Sequence, residues 1–290
     1  MSEVVTFDPQ FIWNGVVTGS LIALAGLGLT LLFGLLDFIN IAYGDYMAIG
    51  AYVAFAADAA GVPLIAAIII GATGGGVTAL VADRVVFRNF QDRNPVVLLV
   101  VSIGVAFILR NVIRIIWTAD TRYYEVPIEA APQYFGIAIL PVQVAIVILS
   151  LVVLGLVFLL LSRTRIGIAM RAASDDTDLA RLRGIDTNRL VIYVSLLGGI
   201  IAGTAGIMLG LDANLRPNTG FVFLIPVFAA VILGGIDDPV GTVVGGYILG
   251  IGTEVSVAVI PSEYKPAFAL LLLVIGLLSR PDGLFREATR

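Results

Sequence analysis

The sequence predicts an all-α polytopic membrane protein: one integral-membrane domain over residues 1–290, built as a bundle of about eight to ten transmembrane helices. Some of its spans are interrupted, and one long cytoplasmic loop carries a helix of its own. Three observations carry this expectation. The 290 residues are 59% hydrophobic and 13% charged, with a mean hydropathy of +1.03, and the apolar runs are long enough to need lipid around them. The 32 glycines are concentrated inside the apolar runs rather than between them. The arginines fall in clusters separated by pairs of apolar runs, as the positive-inside rule requires of a chain that crosses repeatedly.

Taken in order, apolar segments occupy residues 11–36, 41–60, 64–82, 95–117, 138–161, 190–211, 221–236, 240–260 and 265–279, giving nine crossings. The lengths of 41–60 and 221–236 leave open whether these two cross fully or re-enter. Arg84, Arg88 and Arg93 follow the third segment, and Arg280, Arg286 and Arg290 follow the ninth. If every segment crosses, these residues share one face with the loop at 162–189, and that face is cytoplasmic. The loop 118–137 holds Arg122 against Asp120, Glu125 and Glu129 and falls on the opposite face, so the N-terminus is external and the C-terminus cytoplasmic. Trp13 and Trp117 then sit at external ends, where interfacial aromatics gather. The first basic residue is Arg84, so no cleavable leader is expected and the first segment stays inserted. The expected location is the cell membrane, multi-pass.

The loop at about 162–189 carries Arg163, Arg165, Arg171, Arg181, Arg183 and Arg189, six of the 17 Lys+Arg residues. Ser174, Asp175 and Asp176 offer side-chain oxygens to a helix start. Asp178 adds negative charge to the first turn, Arg181 and Arg183 add positive charge to the last, and Gly184 supplies a left-handed stop. A short helix over 176–183 follows.

Within the spans, Gly198, Ala202, Gly206 and Gly210 form a stripe of small residues at four-residue spacing, and Gly241 with Gly245 and Gly246 with Gly250 form others. Such stripes let helix backbones approach closely in lipid. Two interruptions stand out, at Asp37 to Asp45 and at Gly234 to Gly241, both expected toward the cytoplasmic side. Each leads into a helix bearing Gly and Tyr, at Gly50-Ala51-Tyr52 and at Gly246-Tyr247. Paired breaks of this kind point to a translocation path, because irregular backbone at membrane depth is tolerated only beside protein or water. The path residues are then Asn40, Tyr43, Gly44, Asp45, Gly234, Gly235 and Asp237. The competing structural reading is two tight cytoplasmic turns. The deepest opposite charges are Arg110 and Glu254, each 14 to 15 residues into its span, and their equal depth suggests an intramembrane ion pair. Alternatively, Arg110 and Arg114 snorkel outward together.

The composition also excludes chemistry. There is no cysteine and no histidine, hence no disulfide framework, no thiolate metal site and neither of the commonest general bases and ligands. No metal site, no cofactor and no catalytic residue is expected. No G-x-x-x-x-G-K-[ST] loop is present, so any ATP is hydrolysed on another chain.

The loop and the helix after it, RIGIAMRAASDDTDLARLRGIDTNRLVIYVSLLGGIIAGTAGIMLG, resemble the branched-chain amino-acid permeases of ABC importers, in particular the shorter of their two permease subunits. The likeness continues in order along the chain. It includes Asn14-Gly15 with Gly19-Ser20, the run Leu21 to Leu35, and the box Ile39-Asn40-Ile41-Ala42-Tyr43-Gly44-Asp45, where Tyr43 stands for the usual His. It goes on with Asp83-Arg84-Val85-Val86-Phe87-Arg88, where Asn89 replaces a proline, then Leu233-Gly234-Gly235-Ile236 with Pro239-Val240-Gly241, and Glu263-Tyr264-Lys265. Asp237 and Asp238 depart from the family pattern, and only the Ala180-x-x-x-Gly184 core of the general permease signature is kept.

The resemblance implies that 176–183 is a coupling helix that docks on an ATPase, with Asp176, Asp178, Leu179, Ala180, Arg181 and Gly184 as coupling residues. The partners it implies are a second permease subunit, two ATP-binding subunits and an external substrate-binding protein, besides membrane lipid and with no nucleic acid. The expected function is import of branched-chain or other hydrophobic amino acids by alternating access. A heterodimer is usual in the family, though the sequence itself does not choose between homodimer and heterodimer. The alternative is a secondary transporter or channel for a small polar solute such as urea, an amide or a sugar.

Overall fold

The computed structural model describes residues 8–91, 93–124, 132–134 and 137–279. Its helices are α1 (Gln10–Leu36), α2 (Tyr43–Ala59), α3 (Leu64–Val85, followed by a 3-10 turn at Phe87–Phe90), α4 (Pro95–Trp117), α5 (Pro141–Arg163), α6 (Arg165–Asp175), α7 (Thr177–Leu182), α8 (Thr187–Asp212), α9 (Thr219–Gly234), α10 (Pro239–Ser256) and α11 (Lys265–Ser279). Gln133–Tyr134 and Ile137–Ala138 pair as a two-residue antiparallel ribbon, Gln133 opposite Ala138. All nine apolar segments are helices. Among the described residues, α1, α3 with its 3-10 turn, α4, α5 and α8 are long and apolar enough to cross a membrane. At 17, 16 and 15 residues, α2, α9 and α11 are shorter than the roughly 20 residues a full crossing needs. Glu125, Glu129 and the tail arginines Arg280, Arg286 and Arg290 lie outside the described residues.

The chain divides into two compact units, Met1–Leu27 with Val126–Leu151 and Ile225–Arg290, and Gly28–Glu125 with Val152–Leu224. The core of the second is α2, α3 and α8. On α3 the buried face is made of small residues, Ala67, Gly71, Gly75 and Ala79, while Ile65, Ile69, Val77 and Val81 point outward. That inverts the amphipathicity of a water-soluble helix and suits a helix that presents large apolar groups to lipid and small ones to protein. Gly50 meets Gly203 backbone to backbone, Gly206 meets Met47, and Gly75 meets Gly199 and Gly203. The expected stripe Gly198, Ala202, Gly206, Gly210 is buried as read. The adjoining row of Gly199 and Gly203 faces α3.

In the first unit the stripes of α10 find their own partners. Gly246 packs on Ala23 and Gly250 on Gly19, while Gly245 lies against the Ala230 carbonyl. Glu254, near the end of α10, accepts from Lys265 at 2.8 Å on both carboxylate oxygens and from the Thr18 hydroxyl at 3.2 Å.

Outside the spans, the Tyr124 hydroxyl donates to the Ala51 carbonyl at 2.7 Å. Burial, with the charge of Asp58 adding to it, holds this phenol well above its ordinary range.

Candidate functional site

Between α1 and α2 the chain runs irregularly through Asp37 to Ala42. Asp37 takes a left-handed conformation, φ 53°, which Asp tolerates better than most residues. The Asn40 side chain accepts from the Ala42 amide at 3.0 Å, closing an Asx turn that leads into α2. This segment climbs along α4. Phe38 packs against Phe87 just before α4, the rings tilted with centroids 5.2 Å apart. The Ile41 amide donates to the Ser102 hydroxyl at 3.1 Å. The Asp45 carboxylate takes two hydrogen bonds from the Arg110 guanidinium, from Nε and from Nη2, each 3.1 Å. Further on, Tyr52 packs against Trp117 at 5.3 Å.

Arg110 is 15 residues into α4, about 22 Å from Pro95 at 1.5 Å per residue. The start of α2 is therefore set deep along a spanning helix, and the expectation that the Asn40–Asp45 box lies at the cytoplasmic end is corrected. It also explains the 17 residues of α2, which accompanies only the distal part of α4. The irregular backbone is tolerated there because Asn40, Tyr43 and Asp45 are all buried in protein. Gly44 lies against the Gly220 carbonyl, where an added Cβ would come within 2.6 Å.

The same geometry corrects both readings of Arg110. Its partner is Asp45, not Glu254, which is engaged by Lys265. Nor does Arg110 snorkel: it is 8% exposed, with the Phe221 ring 4.3 Å from its guanidinium carbon. Arg114, by contrast, is exposed. Equal depth fixed neither the direction in which each side chain leaves its helix nor which helix stands opposite.

The second interruption is different in kind. Gly234 ends α9, Gly235 is left-handed at φ 110°, and the Asp238 carboxylate caps α10 by accepting from the Val240 amide at 2.9 Å. Gly234 touches Gly241 backbone to backbone, so this is a tight helical hairpin. Asp237 is exposed at its tip.

The helix expected at 176–183 is α7, Thr177–Leu182. Asp176 alone caps it, accepting from the Leu179 amide at 2.9 Å. Ser174 and Asp175 belong instead to α6, whose cap is Thr164. Gly184, at φ 85°, ends α7 in a Schellman motif: Ile185 N–H bonds the Ala180 carbonyl at 3.0 Å and Gly184 N–H that of Arg181 at 2.9 Å. Arg181 Nε donates to the Thr187 hydroxyl at 2.9 Å, and Asp178 stands exposed beside it at 3.7 Å. Ala180 is buried, 3% exposed, so it anchors α7 rather than presenting it. Leu179 and Leu182 are exposed, Leu182 to 85%. Leu182 was not singled out by sequence, although an apolar residue among Arg181, Arg183 and Gly184 was the available signal.

Among the described residues no group of three or more acidic side chains could hold a metal ion. Residues 11–277 match the family described as "Branched-chain amino acid transport system / permease component". The chain is 31% identical to the high-affinity branched-chain amino acid transport system permease protein LivH of Escherichia coli, over 98% of this chain and 97% of that protein. To BraD of Pseudomonas aeruginosa, of the same description, it is 28% identical over the same shares. Among solved structures, PsaBC from Streptococcus pneumoniae in complex with Fab superposes with a TM-score of 0.53 at 13% identity, covering 94% of this chain and 92% of that one, a likeness of fold. With the family matched over nearly the whole length and the apolar helices in place, the chain belongs to the branched-chain amino acid transport permease family, as a multi-pass component of the cell membrane and not an enzyme.

Proposed function

We propose that this chain is the translocating subunit of an ABC importer for branched-chain or similarly hydrophobic amino acids. It works with a second permease subunit, two ATP-binding subunits and an external binding protein. The observation that carries the reading is the family match from residue 11 to residue 277. An exposed, well-capped helix between two apolar spans supports it. In this reading α7 is the coupling helix, with Leu179, Leu182 and the surrounding Asp178, Arg181 and Arg183 as its docking face. The break at Asn40–Asp45 lies beside the path, where two short helical ends can reorient while α4 stays whole.

The test is reconstitution of the complete transporter in proteoliposomes with its binding protein outside. Radiolabelled L-leucine is expected to enter only when ATP is supplied, and excess L-valine, but not ribose or urea, is expected to suppress it. Leucine uptake that continues without ATP overturns the importer reading. ATP-driven entry of ribose or urea with none of leucine overturns the substrate class.

A further inference from the structure

A cavity of about 260 Å³ lies in the second unit, where the ends of α1, α3, α4, α7 and α8 converge. Its floor is apolar and buried: Phe38, Phe87 and Leu98, with Leu35, Leu36 and Val191 around them. In that floor stands Asp83, 3% exposed. Its Oδ1 is buried without a hydrogen-bond partner, and among the described residues no salt bridge reaches it. A buried carboxylate left unpaired is costly. Such a group in a native protein calls for an explanation, and a bound ion or ligand is one. At the rim stands Arg181 of α7, exposed, its Nε held by Thr187 and its Nη1 3.7 Å from the exposed Asp178 carboxylate, with Nη2 unengaged among the described residues. The cavity thus offers one buried negative group, one positive group at the mouth, an apolar floor and polar walls of Gln91, Thr177, Thr187 and Asn188. It is slightly smaller than the roughly 300–1,000 Å³ of pockets for drug-sized ligands.

We propose that this cavity is a binding site for a free zwitterionic α-amino acid with an apolar side chain, its ammonium on Asp83, its carboxylate on Arg181, and its side chain against Phe38, Phe87 and Leu98. The rim shares its face with Arg84, Arg88, Arg93 and the arginines of the 162–189 loop, the face the positive-inside rule places in the cytoplasm. The ligand it samples is the internal pool. An occupant bridging Asp83 and Arg181 ties α7 to the end of α3 and opposes any stroke that displaces α7, so product accumulated inside slows further import. This deepens the importer reading and rests on it for its physiological sense.

The experiment uses the complete transporter in proteoliposomes preloaded with millimolar unlabelled L-leucine or with none, each protein compared with its own uptake from empty vesicles. Internal leucine is expected to lower initial ATP-driven uptake at least about fivefold, the lower end of typical coupling between sites. Internal N-acetyl-L-leucine, without the ammonium, and isoamylamine, without the carboxylate, are expected to have no effect. Asp83→Asn and the cavity-filling Val191→Phe are each expected to bring the ratio to one. Removing an unpaired buried charge also makes Asp83→Asn at least as thermally stable as the parent, so a folding failure does not mimic the result. An unchanged ratio in the parent, inhibition by isoamylamine equal to that by leucine, or inhibition surviving Asp83→Asn overturns the site. Direct binding of labelled L-leucine to the detergent-purified transporter without its binding protein separates the two ideas. Binding lost in Asp83→Asn, with no uptake by any protein, sinks the importer reading alone. Uptake with no internal inhibition sinks the cavity alone.

Discussion

Asp45 and Arg110 show how much a single pair can depend on fold. Both are buried, they share two hydrogen bonds, and an aromatic ring covers the guanidinium. Removing one partner strands the other, which costs about 3–5 kcal/mol, whereas removing both leaves no uncompensated charge. Asp45→Ala is therefore expected to lower the yield of folded, monodisperse protein sharply, and Asp45→Ala with Arg110→Met to recover most of it. Fluorescence-detected size exclusion of the two variants checks this, and equal loss in both refutes a pairing role. In the sequence the depth of Arg110 was legible from residue counting, but its partner was not. Asp45 read as a path residue in a break toward the cytoplasmic side, and its pairing stayed hidden because nothing local says that the chain between α1 and α2 travels along α4. Glu254 and Lys265, only 11 residues apart, were hidden likewise, since the pairing depends on the chain turning back between α10 and α11.

Individual helices were more legible, because their ends are written in local chemistry. Asn94 and Pro95 start α4, the Asn side chain accepting from the Val96 amide at 2.9 Å; Pro at the first position needs no amide partner. Asp176 and Gly184 bracket α7 where the carboxylate and the left-handed glycine were expected. What local chemistry does not tell is which side of a six-residue helix faces inward. Ala180 was read as a docking residue and is instead the one the fold buries. Ala180→Glu is accordingly expected to destabilise the protein, while Leu182→Asp leaves folding and insertion intact. In the proposed importer, Leu182→Asp weakens retention of the ATPase subunits and cuts uptake about tenfold or more, since docking would bury an unpaired carboxylate where an apolar side chain had been. Copurification of ATPase subunits with the tagged permease reads this out. Full retention with Leu182→Asp means that docking lies elsewhere.

Across the molecule, the small residues do the work that a water-driven core does in a soluble domain. Lipid gives helices no reason to hide leucine, so α3 turns its isoleucines and valines outward and keeps alanine and glycine for α2 and α8. Stripes at four-residue spacing were readable, and each one is buried. Which stripe meets which was not, because Gly199 and Gly203 sit one row over from the stripe that spacing alone selects. Where Gly50 meets Gly203 and Gly206 meets Met47, the nearest neighbours are main-chain atoms on both sides. A side chain that clashes with another side chain can be accommodated by trimming the neighbour, but a main chain cannot be trimmed. A suppressor screen begun from Gly50→Ala or Gly206→Ala is expected to return reversions at the same codon and almost no compensating changes on the facing helix. A screen begun from Gly252→Leu, whose neighbour is the Leu272 side chain, is expected to yield smaller residues at position 272. The genetics of this permease would thus divide its glycines into those that can be bargained with and those that cannot.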